Sequence, residues 1–210
     1  MKNQPVLLLS LVAALLTGGC SVMGGSSEAP VLYAPVTPIQ PDPAWPRVAW
    51  RLALAPATAP ALIEDERIMV SPTPGELQLY RGARWASAPT GMVEDAVLQT
   101  LEASEKIASV GRRGNGMMAD YRLLLEVRSF RSDYAGTATP SALVEVNAKL
   151  LDVAAQRIVA DRSFRQQQAA AGTSVGQVSE AFALALGGLG HDIAGWALTM
   201  GDAPAAKTKP

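Results

Sequence analysis

The sequence predicts an α/β domain built on a mixed, largely antiparallel sheet that carries two main helices. Three observations predict it. Apolar residues recur with a period of two in several stretches between 48 and 167. They recur with the three-and-four spacing of a buried helix face in 89–106 and 174–200. The order of these stretches is strands, helix, strands, helix, which calls for helices packed on a sheet. Apolar residues make up 49% of the 210-residue chain and aromatics only 5%, so aliphatic side chains must fill most of the core.

The first strand is the run in which Val48, Trp50, Leu52 and Leu54 alternate with Ala49, Arg51 and Ala53, and Pro56 and Pro60 end it. Strands at 67–71 and 76–80 flank Pro72-Thr73-Pro74-Gly75, which is turn chemistry, so the two form a hairpin. Pro89 suits the first turn of a helix, where no amide donor is missed. Val93, Ala96, Val97, Thr100, Leu101 and Ser104 follow at helical spacing, with Glu94, Asp95, Gln99 and Glu102 on the other side, and the helix is expected at 89–106. A short strand near 107–112 precedes the Gly114-Asn115-Gly116 turn.

Three longer strands follow. In 119–131, Tyr121, Leu123, Leu125 and Val127 share one face. In 141–152, Ala142, Val144, Val146, Ala148 and Leu150 point one way and Glu145, Asn147 and Lys149 the other. In 157–167, Ile158, Ala160 and Phe164 alternate with Asp161, Ser163 and Arg165. One apolar and one polar face fits antiparallel pairing with a wet side. The last element is a helix at about 174–200. Ser174 with Gln177 has the form of a capping box, and Val175, Val178, Phe182, Ala185, Leu189, Ile193, Trp196 and Met200 make one buried stripe. Gly187, Gly188 and Gly190 interrupt it and mark a kink or a close helix contact. Glu180, His191 and Asp192 argue against a transmembrane reading.

Ahead of the domain, residues 1–19 read as a signal peptide. Lys2 is followed by an almost wholly apolar run, Val6 to Leu16, and then by small residues. The run is too short to span a bilayer, which takes about 20 residues. The only cysteine, Cys20, follows Leu15-Leu16-Thr17-Gly18-Gly19 and precedes Ser21. This resembles the lipobox of bacterial lipoproteins, with Leu16 one place further from the cysteine than is usual. The resemblance makes Cys20 the lipid-attachment site, which carries a diacylglycerol on its thiol and a further acyl chain on its amine. Two or more chains hold stably, whereas one gives marginal anchoring. Ser21, in place of aspartate, implies sorting to the outer membrane. Residues 20–46 are expected to form a tether stiffened by Pro30, Pro35, Pro38, Pro41, Pro43 and Pro46, with an irregular arm packed on the domain through Leu32 and Tyr33 as the alternative; the domain is expected to occupy 47–201, and residues 202–210 to be a disordered tail.

Little in the chain suits catalysis. A nucleophilic hydrolase needs a base beside its nucleophile, yet the one histidine, His191, lies inside the apolar final helix and the one cysteine is taken by lipid. A zinc site has no ligands to spare. Glu64 with Asp65 could serve a hydrolase using carboxylates alone, but they read more simply as a charged loop. The glycines at 111, 114 and 116 do not have phosphate-loop spacing. A net charge of -1 gives nucleic-acid binding no electrostatic support. The expectation is a binding or scaffolding module with no cofactor, no metal and no enzymatic activity.

The order of features then resembles a family. After the lipobox come Tyr33-Ala34-Pro35, the strand 48–56, Arg67-Ile68-Met69-Val70, the tract from Leu77 to Trp85-Ala86 with Tyr80, Ala119-Asp120-Tyr121, Phe130, and a last helix ending near Trp196. This is similar to the ABC-type transport auxiliary lipoproteins, including the lipoprotein of the paraquat-inducible operon. Ser71-Pro72 departs from the pattern where a tyrosine is common. The resemblance implies a three-layer α/β sandwich and a non-enzymatic role in lipid transport across the Gram-negative envelope. Such a subunit would sit on the outer membrane by its lipid anchor, facing the periplasm. Its implied partners are a mammalian-cell-entry domain protein and ABC transporter subunits, with homo-oligomeric rings as a further implication. An outer-membrane assembly or peptidoglycan-binding lipoprotein is the alternative.

Overall fold

A computed structural model describes residues 29–201 except 115 and 117. The signal segment, Cys20 and the 202–210 tail lie outside the described residues. Those described form β1 (Val31–Tyr33), β2 (Val48–Leu54), α1 (Ala61–Glu64), β3 (Arg67–Ser71), β4 (Gln78–Trp85), α2 (Pro89–Ser104), β5 (Ile107–Arg112), β6 (Tyr121–Asp133), β7 (Ser141–Asp152), β8 (Arg157–Ala169) and α3 (Val175–Gly201). The fold is mixed α/β, as the periodicities predict. Three differences stand out: β4 runs on to Trp85, and β1 and the single-turn α1 had no sequence signal of their own.

The spine of the sheet is the 13-residue β6. Along one side it pairs with β7 from Tyr121↔Asp152 to Asp133↔Ser141, and β7 pairs with β8 from Ser141↔Ala169 to Asp152↔Arg157, both antiparallel. Along the other side its partner changes. β2 runs parallel to its start, with Leu52↔Tyr121 and Leu54↔Leu123, and β3 runs parallel to its end, with Val70↔Ser132 and Ser71↔Asp133. Between them Thr58 bridges to Glu126. Pro56, having no amide to donate, ends β2 and lets the sheet fork. One branch adds β5 outside β2, and the other adds β4 and then β1 outside β3. The long ladders are antiparallel and the parallel ones are short. Ser71-Pro72 leaves the β3–β4 hairpin intact: Ser71 is buried, and its hydroxyl donates to the Thr73 carbonyl at 3.1 Å.

Both main helices cover one face. α3 lies across β7 and β8, and α2 packs beside α3 over β5 and β6. The capping box closes as expected. The Gln177 amide donates to Ser174 Oγ at 3.3 Å, and the Ser174 amide and hydroxyl donate to Gln177 Oε1 at 3.4 and 2.8 Å. α2 stops at Ser104 because Glu105 turns left-handed, φ 54°. By length and composition alone α3 could cross a membrane, but 72% of its apolar window is buried in the domain, so it is the core helix.

The core centres on Trp85, Phe130 and Phe182, which join β4, β6 and α3. Phe130 and Phe182 stack at 4.6 Å, and Trp85 meets them edge-on at 5.8 and 5.0 Å. Such pairs contribute about 0.5–1.5 kcal/mol each beyond area burial. The glycine that brings the helices together is Gly190, where a Cβ would lie 2.7 Å from the Ala96 carbonyl oxygen of α2.

Candidate functional surface

The segment expected as a tether up to residue 46 is attached to the domain from Val31 onward. β1 pairs parallel with β4, Val31↔Ala83 to Tyr33↔Trp85, and Ala86 donates its amide to the Tyr33 carbonyl at 2.8 Å. Residues 34–46 then cross the outer side of α3 and form a partial third layer. The helix is shaped to receive them. A Cβ at Gly187 would meet Pro38 O at 2.7 Å, and one at Gly195 would meet the Trp45 ring at 2.6 Å. Between these, His191 donates from Nδ1 to the Gln40 carbonyl at 2.8 Å, and its ring tilts against Trp45 with centroids 4.9 Å apart. Residues 187, 191 and 195 are four apart and so share one helix face. That row forms a shallow track in which two missing side chains admit the arm and one imidazole holds it. The arm ends in a turn, where Trp45 donates its amide to the Asp42 carbonyl at 3.2 Å, and Lys106 Nζ donates to the Pro43 carbonyl at 2.8 Å. A proline-rich arm loses little conformational entropy on being fixed, which favours this docking.

Three concavities line the arm. Where it meets the first half of α3, Pro35, Val36, Pro38, Ala183 and Leu184 border an apolar groove of about 430 Å³, with Glu180 at its side. Against α2, a smaller space of about 280 Å³ is more polar, with Asp95 and Gln99. At the arm's far end, Trp45, Phe164, Trp196 and His191 border a third of about 380 Å³, where the Arg162 guanidinium stands 5.0 Å over the Phe164 ring.

The face of the sheet opposite the helices is polar and largely self-neutralised. Arg165 pairs with Glu145 at 3.1 Å, Arg128 with Glu126 at 3.0 Å, Arg131 with Asp133 at 3.1 Å and Lys149 with Asp161 at 3.9 Å. Arg131 and Asp133 are partly buried; the other three pairs are exposed and contribute about 0–1 kcal/mol each. Their alternation of sign leaves no extended basic field of the sort that phosphate backbones require.

Two of the residues considered for chemistry, His191 and Asp65, are engaged in holding the fold. His191 holds the arm. Glu64 is exposed on one-turn α1. Asp65 receives the Arg67 amide at 2.8 Å and its guanidinium at 2.9 and 2.8 Å. The Arg67 side chain, and then its amide, hold the Asp65 carboxyl below the ordinary carboxylate range, whereas a general acid needs the opposite shift. Gly114 and Gly116 take positive φ in the turn after β5. Among the described residues no group of three His, Cys, Asp or Glu could hold a metal ion. Sequence reasoning missed the arm's track. The spacing Gly187-x3-His191-x3-Gly195 was its visible trace.

A crystal structure of a Xanthomonas campestris protein assigned to the DUF330 family is similar to this chain at 44% identity and TM-score 0.78, covering 81% of this chain and 96% of that one. A second solved structure, of an uncharacterized protein, shares the fold at TM-score 0.60 with 14% identity, covering 80% and 97%. No curated protein matches the chain significantly. The family model described as the ABC-type transport auxiliary lipoprotein component matches residues 31–194, from the first residue of β1 into the last turns of α3. That span takes in the docked arm as well as the sheet and both helices, so the arm is part of the family's domain, and the chain belongs to the ABC-type transport auxiliary lipoprotein family.

Proposed function

We propose that this protein is a non-enzymatic lipoprotein subunit of an ABC and mammalian-cell-entry type lipid transport system, anchored at the outer membrane through Cys20 with its domain in the periplasm, where it docks the periplasmic component. The observation that carries this reading is the family match over 31–194, together with the lipobox-like run ending at Cys20. The docked arm supports it as well. With the chain fixed from Val31 on, ten residues separate Cys20 from β1, a reach of at most about 40 Å even fully extended. The domain would then be held close to the lipid surface, a suitable place for a docking part, and its rigid arm would pass position from anchor to domain.

The test is a pull-down from detergent-solubilised envelopes with a C-terminally tagged copy, read by mass spectrometry. The expected recovery is a mammalian-cell-entry domain protein with ABC transporter subunits. Recovery of peptidoglycan-linked or outer-membrane assembly proteins alone would replace this reading with a role in envelope structure.

A further inference from the structure

Four exposed apolar side chains lie at one end of the domain, while Met118 and Ile158 are exposed at the other. Val36 is 88% exposed, Leu32 62%, Val31 57% and Leu184 53%. Val36 and Leu184 border the same apolar groove, while Val31 and Leu32 lie on β1, where the chain enters from the anchor. Leu32 stands beside Arg84 across the β1–β4 ladder, and Arg81 is also exposed on β4.

The topology places these residues together. β1, β4 and β3 join β6 at its end, near Ser132. α3 starts after β8 leaves that same end, at Ala169↔Ser141. The β7–β8 turn, by contrast, lies at the Tyr121 end of β6, about 35 Å away along the strand. Single exposed apolar residues are ordinary, but an apolar groove bordered by Val36 and Leu184, with Val31 and Leu32 exposed on the nearby β1, marks a contact surface.

We infer that this end of the domain, with Val31, Leu32, Val36 and Leu184, rests on a phospholipid bilayer, and that Arg84 and Arg81 meet its phosphates. The inference rests on the reading of Cys20 as the lipid anchor. Where the chain outside the structure attaches identifies the occupant: the ten residues between Cys20 and Val31 feed directly into this end of the domain and keep it within reach of the lipid. The residue types agree, because apolar side chains flanked by arginine suit an interface of acyl chains and phosphates. Glu180 opposes anionic headgroups, so the contact is weak alone and depends on the acyl chains of Cys20 to hold it in place.

The lipidated full-length protein serves as the probe. Its one native cysteine is consumed by lipid, so Val36→Cys, Leu184→Cys and, at the β7–β8 turn, Ala154→Cys each present a single thiol for an environment-sensitive fluorophore. Each is reconstituted in vesicles of phosphatidylethanolamine and phosphatidylglycerol containing a nitroxide-bearing phospholipid, and floated on a density gradient. The expected result is flotation of all three, with quenching at 36 and 184 and none at 154. Flotation with no quenching at 36 and 184 would overturn the membrane contact while leaving the anchor standing, and would turn attention to a protein partner for the groove. Failure to float would remove the anchor reading, and the contact with it.

Discussion

Pro38 lies directly over Gly187, so close that a Cβ there would come within 2.7 Å of the proline's carbonyl oxygen and 2.9 Å of its ring. The contact joins a residue near the start of the domain to one near its end, and what lies over each glycine of α3 sets what that glycine can tolerate. Helix propensity alone favours alanine over glycine by about 1 kcal/mol. At Gly176 nothing lies within 4 Å of an added Cβ, so Gly176→Ala should stabilise the domain by about 0.5 kcal/mol. At Gly187 and Gly190 the nearest neighbour is a backbone carbonyl oxygen, and overpacking should outweigh propensity, leaving each alanine variant destabilised by about 1–2 kcal/mol. Thermal melts of the three variants check the order.

His191 donates to the Gln40 carbonyl at 2.8 Å. His191→Ala removes that hydrogen bond and the face Trp45 leans on, at a cost of about 1 kcal/mol. The loss should be local. Proteolysis at Tyr33 or Trp45 by a chymotrypsin-like enzyme should quicken severalfold, while the melting temperature of the core falls only slightly. Equal protection of the arm in variant and parent would show that the glycine contacts, the β1–β4 ladder and Lys106 hold it without the imidazole.

Phe182 fills the centre of the aromatic cluster, fully buried against Phe130 and Trp85. Phe182→Ala should cost about 3–5 kcal/mol through lost burial and a residual cavity, a large share of the stability of a domain this size. Denaturant unfolding would show the midpoint falling steeply with little change in slope.

Asp120, at the start of β6, receives the Arg51 amide at 2.8 Å and its guanidinium at 3.1 and 3.0 Å. The Arg51 side chain, and then its amide, hold the Asp120 carboxyl below its ordinary value. A depressed acid contributes stability above its unfolded pKa of about 3.9 and loses it as pH falls through the folded value. The parent should therefore melt slightly above Asp120→Asn at neutral pH, the two curves converging in acid. Melting temperatures measured across the acid range decide it. Both groups are well exposed, so the gap is small and shrinks in salt.

On the proposed reading, replacing Cys20 by serine removes the thiol that would carry lipid, at the end of the lipobox-like run. The variant should leave the membrane fraction for the soluble one with an unchanged melting curve. Sedimentation with membranes in high salt would point to an anchor elsewhere.

The elements of the sheet and the two main helices were legible because each satisfies its backbone hydrogen bonds within a periodic pattern and buries one face, so the side chains repeat with the period of the element. Tyr121 to Val127, Ala142 to Leu150 and the Val178–Phe182–Leu189–Trp196 stripe carry that record, and Pro89, Ser174 and Gln177 mark where helices begin. β1 is three residues long and α1 a single turn, too short for any period to show. The fork of the sheet depends on which of two strands meets each end of β6, a choice made by packing between residues far apart in the chain.

The arm shows the same division most clearly. Five prolines between 35 and 46, beyond β1, favour an extended backbone without a regular hydrogen-bond ladder. That is equally true of a free spacer and of a docked strap, since proline-rich backbone needs no partner in either state. What decides between them is a surface about 150 residues further on, where Gly187 and Gly195 leave room for Pro38 and Trp45 and His191 holds the Gln40 carbonyl, with Lys106 of the neighbouring segment on the Pro43 carbonyl. The sequence by itself determined the conformation of the arm, and only the tertiary structure, through the complementarity of that track, decided that it is bound.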